Sequence, residues 1–120
     1  MITENDLEQF TGTTQYYENT FGLRFTDGVK YLADTAGAYW LIDLVESWQT
    51  KHIVKVAPFQ VWRLQVDLEK HRAVAECWTD TPDDENSQLI AQQKIPYTDF
   101  PLAEIELFCI DGVLLLKSEY

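Results

Sequence analysis

The sequence is poor in basic residues, with 9 Lys and Arg against 20 Asp and Glu and a formal net charge of −11. Proteins that bind bulk nucleic acid or anionic membranes need a positive surface to displace counterions, so neither partner is expected. Two cysteines are present, without a CxxC pair. We predict that Cys77 and Cys109 are buried thiols, although a disulfide stays possible if their strands are neighbours.

Long apolar runs are also missing. The apolar run at residues 113–116 has only four residues, whereas a helix that crosses a bilayer needs about 20 apolar residues. The first residues lack the basic start and apolar run of a signal peptide. At 120 residues the chain has room for one core. We therefore expect a cytoplasmic protein with one domain over residues 1–120 and no membrane partner.

Patterns typical of catalytic and metal sites are absent from the sequence. No serine lies in a GxSxG motif, and His52 and His71 lack HExxH or zinc-ligand spacing. The acidic run at residues 80–85 lacks the central glycine and closing Glu of an EF-hand loop. No cofactor or metal is expected. Carboxylate pairs for glycoside chemistry stay open, because the fold rather than the sequence sets their separation.

Hydrophobic periodicity predicts helices in the first half of the chain. Thr3 is a candidate cap for a short helix, with Asp6 at its third position. A second helix is predicted from Thr26 or Asp27 to a stop at Gly37. The third, over residues 38–51, has Lys51 and His52 at its end. Its apolar stripe comprises Trp40, Leu41, Leu44, Val45 and Trp48. Its polar side comprises Asp43, Glu46 and Thr50.

After Pro58 the period changes to two, which is typical of a strand with one buried face. A returning strand is predicted over residues 73–79 and a third over residues 89–95. With a turn at residues 69–72, Leu64 would face Cys77 and Arg63 would form a cation–π pair with Trp78.

The last hairpin has the clearest turn signal. Asp111-Gly112 between apolar runs is typical of a type I′ turn. This turn pairs Ile110 with Val113, Phe108 with Leu115, and Glu106 with Lys117. Both faces of the hairpin are largely apolar, so it should be central or covered on both sides. The fold class predicted is α+β, with N-terminal helices packed on a C-terminal antiparallel meander of about four to five strands.

The region before the second helix has no clear pattern. Residues 13–19 suit a strand or an irregular arm, and residues 19–28 a loop and turn. Its aromatic residues either close the helix side of the core or line a groove between the helices and the sheet. The candidate groove or interface residues are Tyr16, Tyr17, Tyr39 and Asp43.

Charge is segregated along the chain. Residues 51–75 carry 2 acidic and 5 basic residues, and the segments on either side are strongly acidic. Together with the missing catalytic patterns, this favours a non-enzymatic protein that binds a protein partner or self-associates. One alternative is an acidic inhibitor of a nucleic-acid enzyme, which needs carboxylates along one exposed face. Another is a small hydrolase or ligand-binding protein using the aromatic groove.

Six segments resemble a family of small bacterial proteins of unknown function, in the same order along the chain: residues 10–13, 26–31, 36–43, 59–62, 95–102 and 118–120. The family pattern has a proline before the last segment, where this chain has Lys117. The resemblance implies a stand-alone bacterial domain, often in genomes rich in mobile elements. It implies no catalytic residues.

Overall fold

The computed structural model describes residues 2–11 and 15–120. Helices lie on one face of a single mixed sheet, an α+β arrangement. The helices are α1 (Glu4–Glu8), α2 (Asp27–Ala36), α3 (Tyr39–Trp48) and α4 (His52–Lys55). The strands are β1 (Tyr16–Glu18), β2 (Arg24–Thr26), β3 (Phe59–Asp67), β4 (Arg72–Trp78), β5 (Leu89–Ile95), β6 (Glu104–Ile110) and β7 (Val113–Leu116), followed by a 3₁₀ turn at Lys117–Glu119.

The sheet is larger than predicted, with seven strands in the order β1-β2-β7-β6-β3-β4-β5. Strands β3 to β7 pair antiparallel, as predicted, but they do not form a meander, because β6 lies beside β3 rather than β5. The prediction also lacked β1 and β2, and β2 runs parallel to β7. Strand β1 lies within residues 13–19, of which residues 13 and 14 are outside the described residues. Strand β2 falls where a loop was predicted. Each has three residues, too few to show a period, and β2 depends on the edge of β7 for pairing.

Capping signals located the first two helices correctly. The Thr3 hydroxyl accepts from the Asp6 amide, and the Asp6 carboxylate accepts from the Thr3 amide. Helix α2 has Thr26 as its N-cap and ends at Gly37, whose φ of 63° is left-handed.

The third helix is shorter than predicted and ends at Trp48. Lys51 is extended and precedes the separate helix α4, so Lys51 and His52 are not the end of α3. The hydroxyls of Ser47 and Thr50 donate to backbone carbonyls three residues earlier. Such bonds compete with the helical ladder and favour an end to the helix here.

The β3–β4 turn covers residues 68–71, one residue earlier than predicted, and this shifts the pairing of the two strands by two residues. The Asp67 carboxylate accepts from two turn amides, and His71 is left-handed with a φ of 56°. Arg63 therefore lies opposite Glu76, and the predicted cation–π pair with Trp78 is wrong. Because the shift is two residues, every side chain keeps its predicted face.

The β6–β7 hairpin has the predicted register at its turn, with Ile110 opposite Val113 and Phe108 opposite Leu115. Asp111 and Gly112 have φ of 51° and 76°, the positive values that a type I′ turn requires. Lys117 lies beyond β7, yet its Nζ is 3.6 Å from Glu106 Oε1.

The end of the chain is attached to the start of α2. The Glu119 carboxylate accepts from the Thr26 hydroxyl at 2.6 Å and from the Leu116 amide at 2.9 Å. A Cβ added at Gly28 would lie 2.6 Å from Glu119 Oε1, so the Glu119 side chain would have to shift. Two segments of the family resemblance, 26–31 and 118–120, thus meet in space.

Candidate functional site

The two faces of the sheet differ in how they are covered. Leu64, Leu107 and Leu114 face the helices and belong to the main hydrophobic cluster. Val61 and Phe108 point to the other side and are buried without belonging to that cluster. We call this second side the open face.

An apolar band crosses the open face. Strand pairing aligns Trp78 with Val61, Val61 with Phe108, and Phe108 with Leu115. A neighbouring row aligns Phe59 with Ile110 and Ile110 with Val113. The apolar band comprises Phe59, Val61, Trp78, Phe108, Ile110, Val113 and Leu115. Apart from Val61 and Phe108, these side chains are half-exposed.

Tyr120 projects from the apolar band. Its ring centroid lies 5.5 Å from that of Phe59 and 5.2 Å from that of Phe108. The residue nevertheless remains 70% exposed. An exposed tyrosine on an apolar floor is the kind of side chain that anchors protein interfaces.

A charged row runs beside the apolar band in the order Glu76, Arg63, Glu106 and Lys117, one residue from each of β4, β3, β6 and the end of β7. Arg63 donates to Glu106 Oε2 from Nε and Nη2 at 3.1 and 3.0 Å. The signs alternate along the row.

The open face has no net charge among the residues that strand pairing and the Lys117–Glu106 ion pair place on it. Its acidic side chains are Glu18, Asp67, Glu76, Glu104 and Glu106, and its basic ones are Arg24, Arg63, Arg72, Lys94 and Lys117. The acidic excess that gives the chain its net charge of −11 therefore lies outside the open face.

The open face was not among the predicted sites, although one signal pointed to it. The apolar character of both faces of the last hairpin predicted that it is central or covered on both sides. The hairpin is central, as predicted, but helices cover one of its faces.

Three of the four predicted groove residues lie near one another in the helix layer. Tyr17 stacks on Phe25 with centroids 5.6 Å apart, and the Lys30 ammonium is 5.4 Å from the Tyr17 ring. Tyr39 donates to Asp34, whose other oxygen accepts from Lys30. One turn after Tyr39, Asp43 accepts from the Asn19 amide at 2.9 Å. Tyr16 pairs with Thr26 and points to the opposite side of the sheet.

The electrostatics of this cluster oppose acid–base catalysis. The hydrogen bond to Asp34 raises the pKa of Lys30 and that of Tyr39. The hydrogen bond from Lys30 and then that from Tyr39 lower the pKa of Asp34. The carboxylate is made less basic and the ammonium and phenol harder to deprotonate, whereas a base or nucleophile near pH 7 needs the reverse. The contacts instead fasten β1 to the helices.

A cleft of about 460 Å³ lies beside the C-terminal end of α3 and contains the buried Glu46. Glu46 lies on the predicted polar side of α3 but is buried, because the loop after β1 folds over it. Its Oε2 accepts from the amides of Phe21 and Leu23 at 3.1 and 2.9 Å, and its Oε1 from Asn19 at 2.9 Å. Sequence periodicity carries no signal for a loop that supplies such donors.

The amides that line the cleft are also engaged. Gln49 and Gln60 exchange two hydrogen bonds of 2.9 Å. Gln60 further donates to Val54 O and accepts from Trp62 Nε1. These polar atoms are hydrogen-bonded within the fold, so the cleft offers a substrate few convergent polar groups.

The cysteines are free and buried, which confirms that prediction. Burial raises the pKa of Cys77 to about 12, with a smaller contribution from nearby Cys109. Burial also raises the pKa of Cys109 to about 12. Such thiols are poor nucleophiles.

The acidic residues do not share one exposed face. Asp34 and Asp43 lie on the helix layer, whereas Glu76 and Glu106 lie on the open face beside basic residues. Five of the 20 acidic residues lie on the open face and the other 15 lie elsewhere, and the inhibitor that imitates a phosphate backbone stays a prediction.

Within residues 2–11 and 15–120, no helix is both long and apolar enough to cross a membrane. Across the same ranges, no group of three or more His, Cys, Asp or Glu side chains is arranged to hold a metal ion.

Comparison with known proteins gives a family and no function. No curated protein matches the chain, and no solved structure does so. The model of a family of unknown function, DUF6876, matches residues 1–120. The resemblance to a family of unknown function is thereby confirmed, and the chain belongs to the family DUF6876.

Proposed function

We propose that this chain is a non-enzymatic protein-interaction domain that works through the open face of its sheet. The apolar band carries the proposal, since it crosses four adjacent strands from Trp78 to Leu115, and its side chains other than Val61 and Phe108 are half-exposed. Contiguous apolar surface of this kind on a sheet marks interaction sites. Because the open face has no net charge, the acidic excess of the chain does not repel a partner that binds there.

The polar groups of the helix layer support the non-enzymatic part of the proposal. The polar atoms of Glu46, Gln49 and Gln60 are engaged in holding the fold, and the Asp34 cluster has pKa shifts that oppose general base catalysis. The apolar band, by contrast, leaves more apolar surface exposed to water than the folding of the sheet requires. Its Tyr120 resembles the aromatic anchors that dominate binding energies.

A substitution on the open face tests this proposal. Val113→Glu places a carboxylate in the apolar band beside Arg24, its neighbour across the β2–β7 pair, so the folded state should persist. We expect this variant to lose binding to every partner of the wild-type protein, including a second copy, because the carboxylate must be desolvated in the contact. Binding is measured by sedimentation and by capture from native lysate.

The matched control is Ile53→Glu, which adds the same charge at a 57% exposed position on α4. It should retain the binding of the wild-type protein. Equal losses in both variants, or binding that survives Val113→Glu, would contradict a working role for the open face.

A further inference from the structure

We infer that the open face binds a second copy of this chain in a two-fold dimer whose axis runs parallel to the strands between β3 and β6. This inference rests on the proposed function and names the occupant of the same face. A two-fold dimer uses one surface on both subunits, so that surface must complement itself. The charged row and the apolar band both meet this requirement.

The charge signs of the charged row are complementary to the same signs read in the opposite strand order. Read from β4 to β7 its signs are −, +, −, +, for Glu76, Arg63, Glu106 and Lys117. Rotation about the stated axis places β4 over the partner's β7, and β3 over its β6. Glu76 then faces the partner's Lys117, and Arg63 faces the partner's Glu106. Each charge meets one of opposite sign, which fixes the register of the contact.

The same rotation stacks apolar side chains on apolar side chains. Trp78 faces the partner's Leu115, and Phe59 faces the partner's Ile110, whereas Val61 and Phe108 are buried and lie beneath the contact. An axis perpendicular to the strands, placed between the two rows, would instead lay the apolar band over the charged row. That arrangement would desolvate charges without apolar contact in return. The strand-parallel axis is therefore the one that satisfies both rows.

Charge and area favour a second copy over a basic partner. The open face is neutral although the chain carries −11, so the acidic excess that would attract a basic protein lies outside this surface. The seven strands contain 40 residues, and at about 3.3 Å along and 4.8 Å across the strands per residue they cover roughly 630 Å² in projection. A standard interface buries about 800 Å² per partner, so nearly the whole face would take part.

Charge reversal at one pair of positions tests the stated register. In the Lys117→Glu variant, the new carboxylate should face the partner's Glu76. In the Glu76→Lys variant, the new ammonium group should face the partner's Lys117. Each change acts twice in a symmetric dimer, so we expect each variant to dissociate about tenfold more readily than the wild type. A mixture of the two variants restores both pairs in a heterodimer, which should form with the affinity of the wild-type dimer.

Sedimentation equilibrium over a dilution series measures the masses, with 14.0 kDa for the monomer. Lys55→Glu on α4 is the matched control, because it makes the same charge change on the helix layer and should dimerise like the wild type. A wild type that stays monomeric at all concentrations would overturn the second-copy inference, as would a mixture no better than its components. In either case the Val113→Glu capture experiment still decides the proposed function separately.

Discussion

Raising the pH from 9 to 11 is expected to lower the free energy of unfolding by about 5 kcal/mol through two buried thiols. The pKa of Cys77 and that of Cys109 are raised from 9.0 to about 12 in the folded chain. Above pH 9 the unfolded chain therefore releases two protons that the folded chain retains. The stabilisation is complete below pH 9 and is lost progressively between pH 9 and 12, at about 1.4 kcal/mol per pH unit for each thiol.

Urea unfolding under reducing conditions, followed by tryptophan fluorescence at several pH values, measures this dependence. The double variant Cys77→Ala/Cys109→Ala is the control. It should be less stable than the wild type at pH 8, because each substitution leaves a small cavity. Its stability should fall far less steeply above pH 9, and a slope equal to that of the wild type would contradict the assignment to the thiols.

Replacing Glu46 with alanine is expected to lower the free energy of unfolding by about 3 kcal/mol, because it removes three charge-assisted hydrogen bonds. Two of these come from the backbone amides of Phe21 and Leu23, and the Leu23 amide is buried. Without an acceptor these amides would lose their partners, and the loop over α3 would have to rearrange. Chemical denaturation monitored by circular dichroism gives the measurement.

Asp43→Ala is the matched control for Glu46→Ala. Asp43 lies one turn earlier on the same helix and accepts from the same Asn19 side chain, but its contact is exposed. Its removal should cost no more than about 0.5 kcal/mol. If the two variants lost equal stability, the loop amides would not be the reason for the effect.

The success of sequence reasoning depended on how local the signals were. The caps of α1 and α2, the left-handed stop at Gly37 and the Asp111-Gly112 turn are each defined by a few adjacent residues. These predictions were correct. The faces of β3 and β4 were also correct, because a period of two survives a shift of two residues.

Features set by distant partners were missed. Strand β2 has three residues and pairs with β7, about ninety positions away, so no local pattern marks it. Glu46 sits on the side of α3 that the period assigned, but a loop twenty-odd residues earlier covers it. The candidate groove shows the same limit: Tyr17 and Tyr39 come close through Lys30 and Asp34, whereas Tyr16 points away across the sheet.

The apolar side chains of the open face were visible in the sequence, but their exposure was not. The apolar pattern on both faces of the last hairpin predicted a central or doubly covered position; the hairpin is central, and helices cover one of its faces. The apolar side chains on its other face are what identify the surface. A partner bound to the open face would supply the second layer and cover these apolar side chains.

Hydroxyl-radical footprinting of aromatic side chains, at concentrations above and below dimerisation, tests the central claim most directly. Dimerisation through the open face should protect Phe59, Trp78 and Tyr120, which lie in or on the apolar band. Phe21 and Tyr97, which are 88% and 70% exposed and lie away from that band, should react equally at both concentrations. Protection of Phe21 or Tyr97 without protection of Tyr120 and Trp78 would show that another surface is used and would contradict the account.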